Sequence, residues 1–172
     1  PEDELTREIF GDYVSIYDFG RSVDDGSTVP LYYDNRGDQL RITSQMGDSA
    51  MFRCMAERYR DGALIAGTSA GAAAMPYTMI VGGPADESNR ISTLSMAPGL
   101  GLLNDVVIDS HFGQRGRMGR LIGAVMQNPR NLGIGIDEAT AIVVDRGQRF
   151  EVVGPGAVYV VDGSGITYSS LS

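Results

Sequence analysis

The run Ala63-Leu64-Ile65-Ala66-Gly67-Thr68-Ser69-Ala70-Gly71-Ala72-Ala73-Ala74 joins a short apolar stretch, a serine between two glycines and an alanine-rich helix former. That is the G-x-S-x-G pattern in the context that gives it meaning: a strand over Ala63 to Ala66, a sharp turn, then a helix. Gly67 and Gly71 lack a Cβ, which predicts a close approach of strand and helix and pushes the Ser69 hydroxyl out at the apex. The N–H of Ala70 then points to where an oxyanion would form. A Gly/Ala-rich turn with a capping serine would read the same way, so the pattern needs support from elsewhere in the chain.

Composition removes most other chemistries. The 172 residues are enough for one domain with a sizeable core, and 42% hydrophobic with 21% charged is ordinary globular usage. No apolar run approaches the roughly 18 residues that a membrane span needs, so no membrane partner is expected. All 14 basic residues are arginine, which excludes Ser-Lys dyads, Schiff bases and Walker A loops together. With one histidine, His111, and one cysteine, Cys54, neither a metal site nor a cofactor is expected. Cys54 cannot form an internal disulfide; it reads as a core residue of a protein from a reducing compartment, the cytoplasm. A net charge of −8 argues against nucleic acid as a partner.

Residues 1–36 differ from the rest. They carry nine acidic residues against three arginines, and six of the thirteen Phe and Tyr residues. Beyond Gly37, the pattern predicts a helix from Leu40 to about Met46, a second from Ser49 to Tyr59 ended by Asp61-Gly62, and a helix after Ser69 closed by Pro76. Gly82-Gly83-Pro84 and the polar run to Asn89 read as a surface loop. Val106 to Ile108 and Leu132 to Ile136 read as buried strands, with a helix running to about Gln127 between them. Thr140 to Asp145, Gln148 to Val153, Ala157 to Val161 and Ile166 to Tyr168 read as further strands separated by glycine turns.

Ser69, His111 and Glu138 all fall at carboxyl ends of predicted strands, where parallel α/β sheets place their ligands. A serine hydroxyl needs a base, and His111 is the only histidine available. The imidazole needs a carboxylate, which Asp137 or Glu138 can supply; alternation lets only one of them face it, and Glu138 is the choice. The order Ser, His, acid disfavours an α/β-hydrolase, whose histidine comes last. Arg117 and Arg120 lie three apart on one helix face, with Arg115 in the loop before them, a cluster suited to carboxylates.

Four segments together resemble cyanophycinases, serine exopeptidases of a family that also contains aspartyl dipeptidase. They are Gly67-Thr68-Ser69-Ala70-Gly71-Ala72, Asp109-Ser110-His111-Phe112 with Arg115-Gly116-Arg117-Met118-Gly119-Arg120-Leu121, Gly135-Ile136-Asp137-Glu138-Ala139-Thr140-Ala141, and Gly156-Ala157-Val158-Tyr159-Val160-Val161-Asp162-Gly163. The resemblance covers 37–172. It implies an α/β fold, a three-layer parallel sheet flanked by helices of the class I glutamine amidotransferase-like type, here N-terminally truncated, with C-terminal antiparallel strands. It implies Ser69 as nucleophile, His111 as base and Glu138 as acid, with Ala70, Gly37 and Asp38 around the oxyanion. Gln39, Asp109, Ser110, Arg115, Arg117 and Arg120 would bind substrate, Asp109 either meeting the substrate's guanidinium or orienting its loop. Ser110 stands where a glutamine is usual, and Arg36 replaces the first of a glycine pair.

The implied reaction is hydrolysis of cyanophycin, an aspartate backbone with arginine on each side-chain carboxyl, to β-Asp-Arg dipeptides. The partner is thus a peptide or polymer substrate, and a homodimer is compatible with such a domain. An aspartyl or isoaspartyl dipeptidase and an inactive peptide-binding fragment are the competing expectations. Phe10 to Asp18 and Val29 to Arg36 resemble the motor subunit of type I restriction enzymes without its ATP-binding motifs. Residues 1–36 are accordingly read as a foreign or misassembled segment before a partial peptidase domain.

Overall fold

The computed structural model describes residues 38–83, 94–145 and 149–168. The first 37 residues, the part of the expected surface loop from Pro84 to Asn89 and the Arg146-Gly147 turn lie outside the described residues, whereas Gly82, expected in that loop, ends a strand. Helix α1 spans Asp38–Met46, with Asp38 in its first turn, where a carboxylate complements the helix dipole. Helix α2, Ala50–Arg60, begins because the Ser49 hydroxyl accepts the Phe52 N–H at 3.0 Å and ends in a turn carrying Arg58 and Arg60. Gly62 follows at φ 99°, a backbone state that a side chain would strain.

Neither α1 nor α2 buries a residue. Cys54 is therefore exposed on α2, not packed in a core. The Ala63 to Ala66 run is also not a strand. Apolar residues make a strand only when a neighbouring backbone pairs with them, and residues 64–67 have no such partner among the described residues. Leu64 is 86% exposed in consequence.

The helix after Ser69 is a single turn, α3, Ala70–Ala73, with Pro76 soon after it. Two strands without a sequence signal follow: β1, Thr78–Gly82, pairs antiparallel with β2, Ser95–Pro98, across an irregularity between Ile80 and Gly82. The central sheet has the order β3-β4-β7, from β3 (Val106–Ser110), β4 (Leu132–Ile136) and β7 (Val158–Val161). Helix α4, Met118–Gln127, crosses between β3 and β4. That crossover makes β3 and β4 parallel, whereas β7 joins β4 antiparallel. Parallel pairing between strands is confined, among the described residues, to β3 and β4, so the sheet is mixed. Strands β5 (Ala141–Asp145) and β6 (Arg149–Val153) form a separate antiparallel hairpin.

Ile166 to Tyr168 forms no strand. Asp162 accepts the Ser164 N–H at 2.8 Å, and Ile166 N–H reaches the Gly163 carbonyl at 3.0 Å, so the chain turns where a ladder would have to start. Among the described residues no helix is long and apolar enough to cross a membrane.

Both faces of the central sheet are covered. Val107 packs with Ile80, Leu94, Phe112, Leu121 and Ala124 in one cluster, against which Tyr159 and Val161 also lie. Ile108, Ile134 and Ile136 join Leu103 in the other, backed by Met75, Ile142, Val144 and Phe150. The sequence Leu132-Gly133-Ile134-Gly135-Ile136 follows from this arrangement. The isoleucines fill one face, while on the other a Cβ at Gly133 would lie 2.7 Å from Val125 and one at Gly135 would lie 2.5 Å from the Phe112 ring. The absence of two side chains lets α4 and Phe112 lie close upon β4.

Gly135→Ala should therefore cost about 1–3 kcal/mol through overpacking against Phe112. Gly165→Ala, where a Cβ meets nothing within 4 Å, should stay within about 0.5 kcal/mol. Urea midpoints of the two variants measure the difference, and equal midpoints would contradict this account of β4.

Candidate active site

The β3–β4 register sets the site. Ser110 lies opposite Ile136, so the next residues of each chain, His111 on one side and Asp137-Glu138 on the other, leave the same edge of the sheet together. The ladder carries on into the loops, with Phe112 N–H donating to the Ile136 carbonyl at 3.1 Å. His111 itself is at φ 52°, which ends β3 and turns its ring out of the ladder.

Ser69 reaches this edge from a turn of its own, at φ 51° and ψ −119°, a conformation costly for a residue with a side chain. Gly67 makes the turn possible, because a Cβ there would lie 2.8 Å from the Gly71 backbone. The expectation that Gly71 is needed in the same way is not met, since a Cβ at Gly71 would meet nothing within 4 Å. The close approach is made by the backbone of Gly71, not by its missing side chain.

Ser69 Oγ lies 2.8 Å from His111 Nε2, and His111 Nδ1 lies 2.9 Å from Glu138 Oε1. An ionised carboxylate only accepts hydrogen bonds, so the pairing with Glu138 puts the ring proton on Nδ1 and leaves Nε2 to accept from the serine hydroxyl. Asp137 turns the other way, accepting Gly113 N–H at 2.8 Å and Ala157 N–H at 3.1 Å. Gln114 Oε1 accepts the Glu138 N–H at 3.1 Å, a contact that no sequence pattern announced. The Ala70 N–H, first in α3, has no intrahelical acceptor.

A cleft of about 290 Å³ opens at this point. Gln39, Ser110, Arg115, Arg117 and Arg120 line it beside Ser69, Ala70 and His111, and Asp38 stands at its wall as the first residue of α1. Gly37, expected with Asp38 near the oxyanion, lies outside the described residues. No group of three or more potential metal ligands occurs among the described residues.

Asp109 does not face the cleft as a receptor for a substrate's guanidinium. It is 1% exposed, and the chain's own arginines already occupy it. Arg117 Nη1 donates to Oδ1 at 2.9 Å, Arg120 Nε donates to Oδ2 at 2.8 Å, and Arg120 Nη2 donates to Oδ1. Arg117 also reaches the Ser110 carbonyl at 2.6 Å. The three-residue spacing at the start of α4 thus turns both guanidiniums back onto β3. Burial pushes the Arg117 guanidinium below its ordinary value, Asp109 acts in the opposite sense, and Arg120 and Arg115 add to the lowering. Two cations against one anion leave an excess positive charge beneath the cleft, and the exposed Arg115 adds to it at the surface.

A hydroxyl, an imidazole and a carboxylate in hydrogen-bonded series, on a mixed α/β scaffold, form the arrangement of serine hydrolases. The comparisons with known proteins narrow the class. Residues 35–153 match peptidase family S51. Over 135 residues the chain is 46% identical to the cyanophycinases of Trichormus variabilis and of a Nostoc species, and 42% identical to that of Geminocystis herdmanii. The alignments cover 78% of this chain and 45% to 50% of those proteins, so the chain spans about half the length of the curated relatives it matches. The chain belongs to peptidase family S51.

Its N-terminal part is similar to something else. Residues 1–62 match the SWI2/SNF2 ATPase family, so 35–62 fall within both matches. A 48-residue stretch is 46% identical to the type I restriction enzyme HindI endonuclease subunit of Haemophilus influenzae, covering 28% of this chain and 4% of that protein.

Removing Asp109 should be among the most damaging single changes, because it leaves two largely buried guanidiniums without their anion. Asp109→Ala is expected to cost about 3–5 kcal/mol. Denaturant unfolding measures it, and a loss under about 1 kcal/mol would show that the arginines find other partners.

Proposed function

We propose that this chain carries the catalytic site of a serine exopeptidase acting on cyanophycin, releasing β-Asp-Arg dipeptides through an acyl-enzyme. The observation that carries the reading is the 2.8 Å and 2.9 Å series from Ser69 through His111 to Glu138. In this reading His111 Nε2 takes the Ser69 proton as Oγ attacks the carbonyl, and Glu138 holds the imidazolium that forms. The Ala70 N–H, with donors near Asp38, meets the negative charge on the carbonyl oxygen. His111 then returns the proton to the leaving amine, and water activated by the same imidazole hydrolyses the ester.

The positive charge at the cleft supports a substrate with free carboxylates. Arg115 and the remaining donors of Arg117 are the groups to hold them, with Gln39 and Ser110 on the wall, while Asp109 works from below by holding the arginines in place. The sequence relatives named as cyanophycinases support the choice of polymer. We assign 37–172 to the peptidase domain and 1–36 to a separate stretch. The packing of α4 on one face of the β3-β4-β7 sheet is consistent with a three-layer scaffold of the class I glutamine amidotransferase-like type, although residues of the β5–β6 hairpin, not a helix, back the other face here. The exposed thiol of Cys54 suits the cytoplasm.

Ser69→Ala should lower dipeptide release from cyanophycin by a factor on the order of 10⁴ or more. It should also abolish labelling by a fluorophosphonate that the native chain takes at Ser69 and the heat-denatured chain does not. Undiminished turnover in the variant would remove the proposal. Short Asp-X peptides cleaved faster than polymer would move it to an aspartyl dipeptidase.

A further inference from the structure

Glu138 faces a difficulty that its own surroundings do not solve. Its side chain is 55% exposed, and the following residue, Ala139, is at φ 52°, so the carboxylate stands on a strained turn with little packing around it. A long exposed side chain left to itself would spread over several rotamers, and alignment with His111 would be lost much of the time. Something must hold the turn from the backbone side.

The contacts to do so converge on the residue before it. Asp137 accepts Gly113 N–H through Oδ1 at 2.8 Å, from the loop that carries His111, and Ala157 N–H through Oδ2 at 3.1 Å, from the segment entering β7. Asp137 N–H also donates to the Ala157 carbonyl at 3.1 Å. Beside this clamp, Gln114 accepts the Glu138 N–H, and Thr140 Oγ1 accepts Gly156 N–H at 2.8 Å while lying 3.2 Å from the Glu138 carbonyl. The fit is close: a Cβ at Gly113 would lie 2.9 Å from Asp137 Oδ1, and one at Gly156 would lie 2.9 Å from Asp137 Cβ.

We propose that Asp137 is a positioning residue for the Glu138–His111 pair, its two carboxylate oxygens clamping the histidine loop and the β7 entry to the acid turn. The inference rests on the serine-hydrolase reading above and adds to it a residue that touches neither the serine nor the imidazole. The chemistry requires a carboxylate. The amide side chain of an Asp137→Asn variant would offer one acceptor and turn an NH₂ donor towards the second backbone N–H, so one arm of the clamp would become a donor facing a donor.

The test is the rate of Ser69 labelling by a fluorophosphonate, read together with the urea midpoint and the proton spectrum. His111 is the only histidine, so a downfield Nδ1–H signal from its bond to Glu138 is assigned without ambiguity. For Asp137→Asn the expected result is a folded chain, labelling about 10–100-fold slower, and loss or broadening of that signal. The labelling rate should fall at saturation, with the probe concentration for half-maximal rate unchanged. Gln114 is exposed, so Gln114→Met leaves the fold alone and should shift both readouts in the same direction by less. Wild-type labelling and an intact signal in Asp137→Asn would overturn the inference while leaving the Ser69 reading standing. If Asp137→Asn unfolds, Ala157→Pro, which removes one of the two N–H groups that Asp137 accepts, takes its place, and wild-type labelling with an intact signal there decides against it. A native chain that takes no label at Ser69 overturns the reading beneath, and the inference with it.

Discussion

The parallel pairing of β3 with β4 is the constraint on which the rest depends. Two adjacent parallel strands end at the same edge, so whatever follows Ser110 and Ile136 is brought within side-chain reach with no further design. The register then decides which atoms meet. A shift of one residue would send Glu138 to the other face and bring Asp137 to the imidazole. Register in turn is held by burial, because Val107 must enter one apolar cluster while Ile108 and Ile134 enter the other.

The same edge concentrates backbone cost. Ser69, His111 and Ala139 all hold positive φ without being glycine, and all three sit at or beside the hydrogen-bonded series. Such conformations persist only where the surroundings over-determine them. Here the surroundings are specific: the Gly67 turn under Ser69, the Phe112 and Gly113 bonds after His111, and the Asp137 and Thr140 contacts about the acid turn. Electrostatics beneath the cleft follows a similar plan. Asp109 is taken up in fixing two arginines, so part of the site's positive surplus is carried by side chains held in place from β3.

Much of this was legible along the chain where the signal is local. The Ser49 cap, the Gly62 stop, the apolar cores of β3 and β4 and the strands β5, β6 and β7 stand within a residue or so of their expected limits. Elements that depend on a distant partner carry no such local signal. Ala63 to Ala66 and Ile166 to Tyr168 have strand-like residues but no backbone to pair with among the described residues, and β1 and β2 pair through residues whose alternation is too weak to notice. Cys54 has a buried residue's chemistry but stands on a helix that buries nothing.

The sequence by itself determined the residue types of the chemistry: one serine in a G-x-S-x-G pattern, one histidine, two adjacent carboxylates at a strand end, and arginine as the only strongly basic residue. These are properties of composition and short spacing, and they need no fold to be read. The tertiary structure decided which carboxylate faces the imidazole and that Asp109 serves the arginines. It also decided that Gly71 needs no empty space and that Asp137 ties three segments together. Each of those depends on where a side chain points among neighbours many residues away, and only packing and register fix that direction.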